Sequence, residues 1–302
     1  MRQLVEFGRT IRLGHSLFAL PFALGTALVA EPPCPDGWSM ALLVACMVAA
    51  RTAAMGTNRV ADARLDARNP RTADRAIPAG RLSRSAALGL TILSGAAFIG
   101  LAWIFVPLRG NVWPGVLAPA FLAVLLGYSW TKHVTALTHW LLGLCLGLSP
   151  VGVWIALRGE VSPVPILIGG GVLFWTAGFD ILYALQDVEA DRREGLHSVP
   201  ARLGSRGAMW AARASHLATV VLLGGATLCD HRLGGSGVLG EGSGFALDVI
   251  ALTLLVQHIR LRRADADRIA AAFFPMNVAV SMMWLAGVVL DVVLGPGVRL
   301  LP

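Results

Sequence analysis

Apolar runs of membrane length, separated by short polar connections, recur along the chain. They fall at about 14–31, 38–57, 85–107, 112–129, 136–157, 163–184, 208–229, 245–259 and 270–294, most of them near the roughly 20 residues a helix needs to cross the hydrocarbon. Nine transmembrane helices are predicted, the run at 245–259 being the shortest. Nothing alternates apolar and polar residues in ten-residue units, as the strands of a lipid-facing barrel do, so an all-α multi-pass bundle is expected. No linker or low-complexity block interrupts the pattern, and residues 1–302 read as a single transmembrane domain.

Composition agrees: 56% of residues are hydrophobic and 14% charged, with a mean hydropathy of +0.67, far from soluble values. Most of the 25 lysines and arginines sit at the N-terminus and in the connections after helices two, four, six and eight, whereas the opposite loops and the C-terminus hold Arg109, Arg158, Arg232 and Arg299. The positive-inside rule then predicts a cytoplasmic (inner) membrane protein with its N-terminus in the cytoplasm and its C-terminus outside. A pI of about 10.2 needs no nucleic-acid partner, since topology, anionic lipid and an anionic substrate account for the arginines. The run at 16–30 reads as an uncleaved first helix, because Leu28 stands where a signal-peptide cut after Ala30 requires a small residue. The four cysteines form neither a disulfide framework nor a C-x-x-C site. A pairing of Cys34 with Cys229, both on the predicted outer side, is left open.

Two acidic ladders end membrane-length runs. Asn58, Asp62 and Asp66 are spaced four and four, and Asp180, Tyr183, Asp187 and Asp191 are spaced three, four and four. At about 3.6 residues per turn each set falls on one helix face. A carboxylate at the hydrocarbon edge costs roughly 2.5–3.5 kcal/mol on insertion scales, so each ladder reads as a functional site with a counter-ion. Oxygen ligands without His or Cys select a hard divalent cation. Mg²⁺, which is usually held by one or two carboxylates plus substrate phosphates, fits best. Beside the ladders stand Arg71, Arg75, Arg192 and Lys132, the last being the chain's single lysine. A cluster with both signs in excess suits an anionic, metal-loaded ligand. Similar segments, N-P-R-T with P-A-G-R-L-S and later R-R with S-V-P-A-R-L-G, follow the two ladders about 125 residues apart. That suggests an internal repeat whose halves face each other across a central cavity opening to the cytoplasmic side.

The stretch from Asn58 to Asp66 with its N-P-R-T sequel, the D-x-x-Y-x-x-x-D-x-x-x-D-R stretch from Asp180 to Arg192, and Tyr128 followed by Ser-Trp-Thr-Lys132 resemble the motifs of the UbiA superfamily of intramembrane aromatic prenyltransferases. The resemblance covers nearly the whole chain. It implies transfer of a polyprenyl group from polyprenyl diphosphate to a small aromatic acid, with Mg²⁺ held by Asn58, Asp62, Asp66, Asp187 and Asp191. Lys132, Arg71 and Arg192 would assist on the diphosphate, and Tyr183, Asp180 and Tyr128 would line the substrate. The electron-poor allylic carbon needs shelter from water and an aromatic face, for which Tyr183, Trp175 and Trp130 are candidates. The base that takes the ring proton is Asp187, Asp191 or the diphosphate itself. The N-terminal stretch beginning at Arg12 is similar to the 4-hydroxybenzoate polyprenyltransferase branch and its menaquinone-pathway relatives, with Arg12 placed to meet an acceptor carboxylate. Quinone biosynthesis follows, with 4-hydroxybenzoate as first acceptor and a dihydroxynaphthoate-type acid as second.

Other residues receive plainer readings. His139, His216 and His258 have no metal-ligand partners at useful spacing and are expected to pack, and the Gly169–Gly171 run is expected to allow close helix contact. A competing class is an ion-coupled transporter, which also uses intramembrane acids, though nearer the membrane midplane.

Overall fold

The computed structural model describes residues 2–11, 13–232, 236–261 and 266–295. Its helices are α1 Arg2–Thr10, α2 Leu20–Ala30, α3 Gly37–Arg68, α4 Arg84–Trp103, α5 Phe105–Arg109, α6 Trp113–Thr131, α7 Thr138–Arg158, α8 Pro163–Ala184, α9 Val188–Arg193, α10 Val199–Arg232, α11 Glu241–Leu261 and α12 Ala266–Leu294. Among the described residues no strand occurs, and eight helical segments are long and apolar enough to cross a membrane. The chain is an integral membrane helical bundle.

Nine spans are expected from the apolar runs, and the difference lies at the first. A 3-10 turn at Leu13–Leu17 precedes an α2 of only 11 residues. Pro21, in the first turn of α2, has no N–H for the turn before it, so the helix restarts there. Eight of the α2 residues are buried, so the short helix runs through protein and not along lipid. The run at 245–259, by contrast, belongs to a full 21-residue helix. The third run breaks between α4 and α5 because Pro107 cannot bond the carbonyl of Trp103.

Termini are set by ordinary capping chemistry. Asp36 accepts from the Trp38 and Ser39 amides to start α3, and Ser83 and Ser162 do the same for α4 and α8. Asn69-Pro70 ends α3, the Asn69 side chain folding back to accept from the Arg71 amide. That turn aims Arg71 across the bundle.

The core lies where α2, α8 and α12 meet. Trp175 is fully buried there, with ring centroids 5.3 Å from Phe22 and 5.0 Å from Phe179. Glycines bring α7 and α8 into backbone contact, since a Cβ on Gly143 would lie 2.1 Å from the Leu173 carbonyl oxygen and one on Gly169 would lie 2.4 Å from that of Gly147. The glycine run thus serves packing, as its composition suggests. All four cysteines are free thiols, with Cys229 buried.

Candidate active site

A cavity of about 590 Å³ is walled mainly by α3, α4, α6, α7 and α8, a size typical of small-molecule sites. It is graded along its length. Toward the end of the bundle where α3 stops, seven cationic side chains (Arg51, Arg59, Arg68, Arg71, Arg75, Lys132 and Arg193) and six anionic ones (Asp62, Asp66, Asp180, Asp187, Asp191 and Glu194) line it. Farther in, the lining turns apolar, with Leu43, Met47, Phe98, Phe105, Leu117, Phe121 and Val153. Leu43 and Arg68 are both lining residues and are separated by about 37 Å along α3 at 1.5 Å per residue, so the chamber is deep.

Both ladders face this chamber, and Asp62, Asp66 and Asp187 each meet a cation. Lys132 Nζ lies 2.6 Å from Asp62 Oδ1, whose other oxygen accepts from Asn58 Nδ2 at 3.1 Å. Arg75 Nη1 donates to Asp66 Oδ1 at 2.7 Å. Arg71 grips Asp187 with two parallel bonds, Nε to Oδ1 at 3.0 Å and Nη2 to Oδ2 at 2.6 Å, and donates to the Tyr183 hydroxyl at 3.2 Å. Burial works against the Arg71 charge, but its hydrogen bonds to Asp187 and the charge of that carboxylate outweigh it and raise the guanidinium pKa above the ordinary value. The first ladder's loop therefore reaches the second ladder, joined by Asn69 to Asp187 at 3.4 Å and Arg68 to Glu194 at 3.1 Å. Lys132 is steadied through its backbone, whose carbonyl accepts from the His197 amide at 2.7 Å.

The donor set suits a hard cation. Asp62 and Asp66 are each 6% exposed, and Asp66 Oδ2 is buried without a hydrogen-bond partner among the described residues. The Lys132–Asp62 contact is an ion pair by distance but falls outside hydrogen-bond geometry, so Asp62 Oδ1 is also unsatisfied in that sense. Among the described residues no three His, Cys, Asp or Glu side chains converge as a self-sufficient metal cage.

The structure departs from expectation at several residues. The second ladder is not one continuous helix face: α8 tightens into a 3-10 turn at Leu185–Asp187 before α9 resumes. Asp187, at φ −106° and ψ 6°, leaves helical geometry where Arg71 holds its carboxylate. Arg192 turns away from the cavity and donates Nε to the Ala201 carbonyl at 3.1 Å, and its neighbour Arg193 takes the lining position. Of the three aromatic candidates only Tyr183 lines the chamber, with the Arg71 guanidinium 5.5 Å from its ring centroid. Trp175 is in the core and Trp130 is half exposed on the outside. Tyr128, Asp180 and Asp191 do line the cavity, whereas Arg12 lies outside the described residues.

Two contributors were not visible as such. Arg51 lines the cavity seven residues before Asn58 and on the same face of α3, bonding the Ile11 carbonyl at 3.4 Å. Continuing the ladder backward by two turns would have found it. His139 is buried and meets Asp180, Nδ1 to Oδ2 at 2.7 Å, a pairing across 41 residues that carries no local signal.

Membrane-length helices surround a deep chamber that is polar at one end and apolar at the other, the architecture of an intramembrane enzyme. The chain belongs to the UbiA prenyltransferase family, whose pattern it matches over residues 19–285. It is 26% identical to the 4-hydroxybenzoate solanesyltransferase of Synechocystis sp. over 92% of its own length and 90% of that protein's. It is 29% identical to the protoheme IX farnesyltransferase of Granulibacter bethesdensis, over 76% of this chain and 69% of the other. Among solved structures, a UbiA homolog from Aeropyrum pernix K1 superposes with a TM-score of 0.80 at 32% identity, covering 93% of this chain and 98% of that one. A UbiA homolog from Archaeoglobus fulgidus bound to DMAPP and Mg²⁺ shares the fold, with a TM-score of 0.67 at 19% identity over 95% and 99% of the two chains. The protein is a membrane prenyltransferase.

Proposed function

We propose that this chain transfers a polyprenyl group from polyprenyl diphosphate to a ring carbon of 4-hydroxybenzoate, in quinone biosynthesis of the ubiquinone type. The observation that carries the reading is the meeting of both acidic ladders on one cavity, with Arg71 and Lys132 between them and an apolar chamber beneath. The named activity of the Synechocystis relative supports the acceptor, and the Mg²⁺ and DMAPP bound by the Archaeoglobus homolog support the donor and the metal.

Asn58, Asp62 and Asp66 on α3, with Asp187 and Asp191 opposite, would hold Mg²⁺. The bound metal supplies Lewis-acid neutralisation of the diphosphate as negative charge grows on the leaving oxygen. Arg71 and Lys132 contribute fixed positive charge at the same place, worth more in a water-poor site than in bulk. The apolar lining holds the prenyl chain and keeps water from the allylic cation, and the Tyr183 face lies beside the carboxylate wall to stabilise it. Arg51, about 10 Å below Asn58 along α3, is suited to an aromatic carboxylate. The ring then attacks, and Asp187, Asp191 or the departing diphosphate takes the ring proton. The basic end of the bundle faces the cytoplasm in this reading, in the inner membrane.

The test is an acceptor screen. Purified protein in lipid is given a prenyl diphosphate, Mg²⁺ and, separately, 4-hydroxybenzoate, a dihydroxynaphthoate and a vinyl-bearing porphyrin, with products read by mass spectrometry. Prenylated 4-hydroxybenzoate is expected. Transfer only to the naphthoate moves the protein to the menaquinone-type reaction, and folded protein that alkylates neither acid overturns the reading.

A further inference from the structure

We infer that His139 is a positioning residue for Asp180, coupling the deepest carboxylate of the second ladder to the start of α10. His139 is 3% exposed, in the first turn of α7, and is used by none of the chemistry above. Its Nε2 accepts from the Val199 amide at 3.2 Å. An acceptor nitrogen carries no proton, so the ring's hydrogen is on Nδ1, which donates to Asp180 Oδ2 at 2.7 Å. The ring is thus neutral and locked in one tautomer between two elements.

Each contact has a local cause. Val199 opens α10, and its N–H is one of the donors that a helix start leaves without an intrahelical partner. Asp180 lines the cavity two turns before Asp187 and makes no other hydrogen bond among the described residues. A single bond to a rigid, buried ring therefore decides which way this carboxylate points. Asp62, Asp66 and Asp187 are met by flexible Lys or Arg side chains, whereas a neutral imidazole orients Asp180 without cancelling its charge. Asp180 is thereby kept as an aimed negative charge at the inner edge of the polar zone, beside Tyr128 and below the level assigned to the diphosphate. That is where positive charge develops on the prenyl carbon, so the effect belongs to turnover more than to binding. This rests on the prenyl-transfer reading.

Three variants separate aiming from packing. In His139→Asn the amide nitrogen stands near the Nδ1 position and keeps the donor to Asp180. In His139→Gln the longer side chain reaches toward Val199 but offers no donor at that position. Partners of functional carboxylates typically account for about 10–100-fold. His139→Ala is therefore expected to lower kcat by about that factor, with KM for prenyl diphosphate within about threefold. His139→Asn should recover more activity than His139→Gln, and His139→Ala placed on Asp180→Ala should add less than about twofold. Additive losses, a Gln variant better than the Asn variant, or an Ala variant with wild-type kcat would overturn the proposal. Imidazole ¹⁵N shifts of wild-type protein, assigned with the Asn variant, provide a readout that needs no turnover. The Nδ1–H form is expected, and an Nε2–H form refutes the pairing. If wild-type protein prenylates no acid, the reaction assignment falls while the ring tautomer still tests His139.

Discussion

Replacing Lys132 with methionine removes one charge at nearly constant length and isolates the contact that joins α6 to the first ladder. At 2.6 Å and an effective dielectric of 20, the attraction to Asp62 is about 6 kcal/mol before the cost of desolvating both ions is counted. Breaking a buried pair by deleting one partner costs roughly 3–5 kcal/mol, because the remaining charge is left uncompensated. Asp62 keeps its bond from Asn58, and the Lys132 side chain is 25% exposed on the cavity side, so water and Asn58 recover part of this. A net loss of about 1–3 kcal/mol is expected. At about 2–4 °C per kcal/mol, the slope for domains of about 150–250 residues, thermal unfolding in a single detergent should show a fall of roughly 2–12 °C. Turnover should fall more steeply, by about 10²–10³, the usual effect of deleting one preorganised group that meets developing negative charge. A variant that melts within about 1 °C of wild type and transfers prenyl groups at the wild-type rate would show that Lys132 neither anchors Asp62 nor meets the diphosphate.

Asp62→Asn and Asp187→Asn should each reduce product formation by at least about 100-fold, measured by mass spectrometry at saturating substrates. Unchanged rates would return the ladders to a structural role. Exhaustive chelation should abolish transfer, with Mg²⁺ restoring it in a saturable titration. Activity that survives chelation contradicts the ligand assignment. Arg51→Ala should raise KM for the aromatic acid about tenfold or more, the worth of one charge-assisted hydrogen bond, while leaving KM for prenyl diphosphate nearly unchanged. Equal changes in both would detach Arg51 from the acceptor. Gly143→Leu should abolish stable folding in detergent, because even its Cβ would lie 2.1 Å from the Leu173 carbonyl oxygen. A variant that melts like wild type would mean that α7 and α8 do not approach so closely.

The bundle and the ladders were legible because both rest on short-range rules. Hydropathy reports burial in lipid wherever a helix touches lipid, and a repeat of three and four residues reports a helix face. Those rules fail where the environment is protein. The α2 helix, at 11 residues, is shorter than its apolar run at 14–31 suggests because it is enclosed and needs no full hydrocarbon thickness. Trp175 and Trp130 are aromatic residues near the right stretch, but at about 100° per residue Trp130 lies on the far side of α6 from the lining residue Tyr128, and Trp175 is rotated by about 80° on α8 from Tyr183, into the core. Adjacency to Asp191 points to Arg192, but its guanidinium is drawn to the Ala201 carbonyl, a partner nine residues away that the local sequence does not signal, and Arg193 lines the chamber. His139 could not be found from spacing, since its partners Asp180 and Val199 lie 41 and 60 residues away.

Placing five aspartates inside a bundle end is costly unless each has company, and the structure meets that cost from the same groups that serve the proposed reaction. Lys132, Arg75 and Arg71 neutralise Asp62, Asp66 and Asp187 in turn. Seven cations against six anions leave the lining nearly balanced, so the wall can meet a diphosphate with its arginines and a divalent ion with its carboxylates. A wall of one sign could do only one of these. Mixed charge at close range also explains why the ladders occur at helix ends and not mid-membrane. Only there can the Asn69-Pro70 turn carry Arg71 across to the opposite ladder, and only there does the chain exit the bilayer soon enough to supply the counter-charges without burying more backbone. Arg51 and Asp180 lie one step deeper on the two walls, where the lining turns apolar. The gradient from ion-paired charges through Arg51 and Asp180 to hydrocarbon therefore follows the order in which a diphosphate head, an aromatic acid and a prenyl tail would have to be arranged.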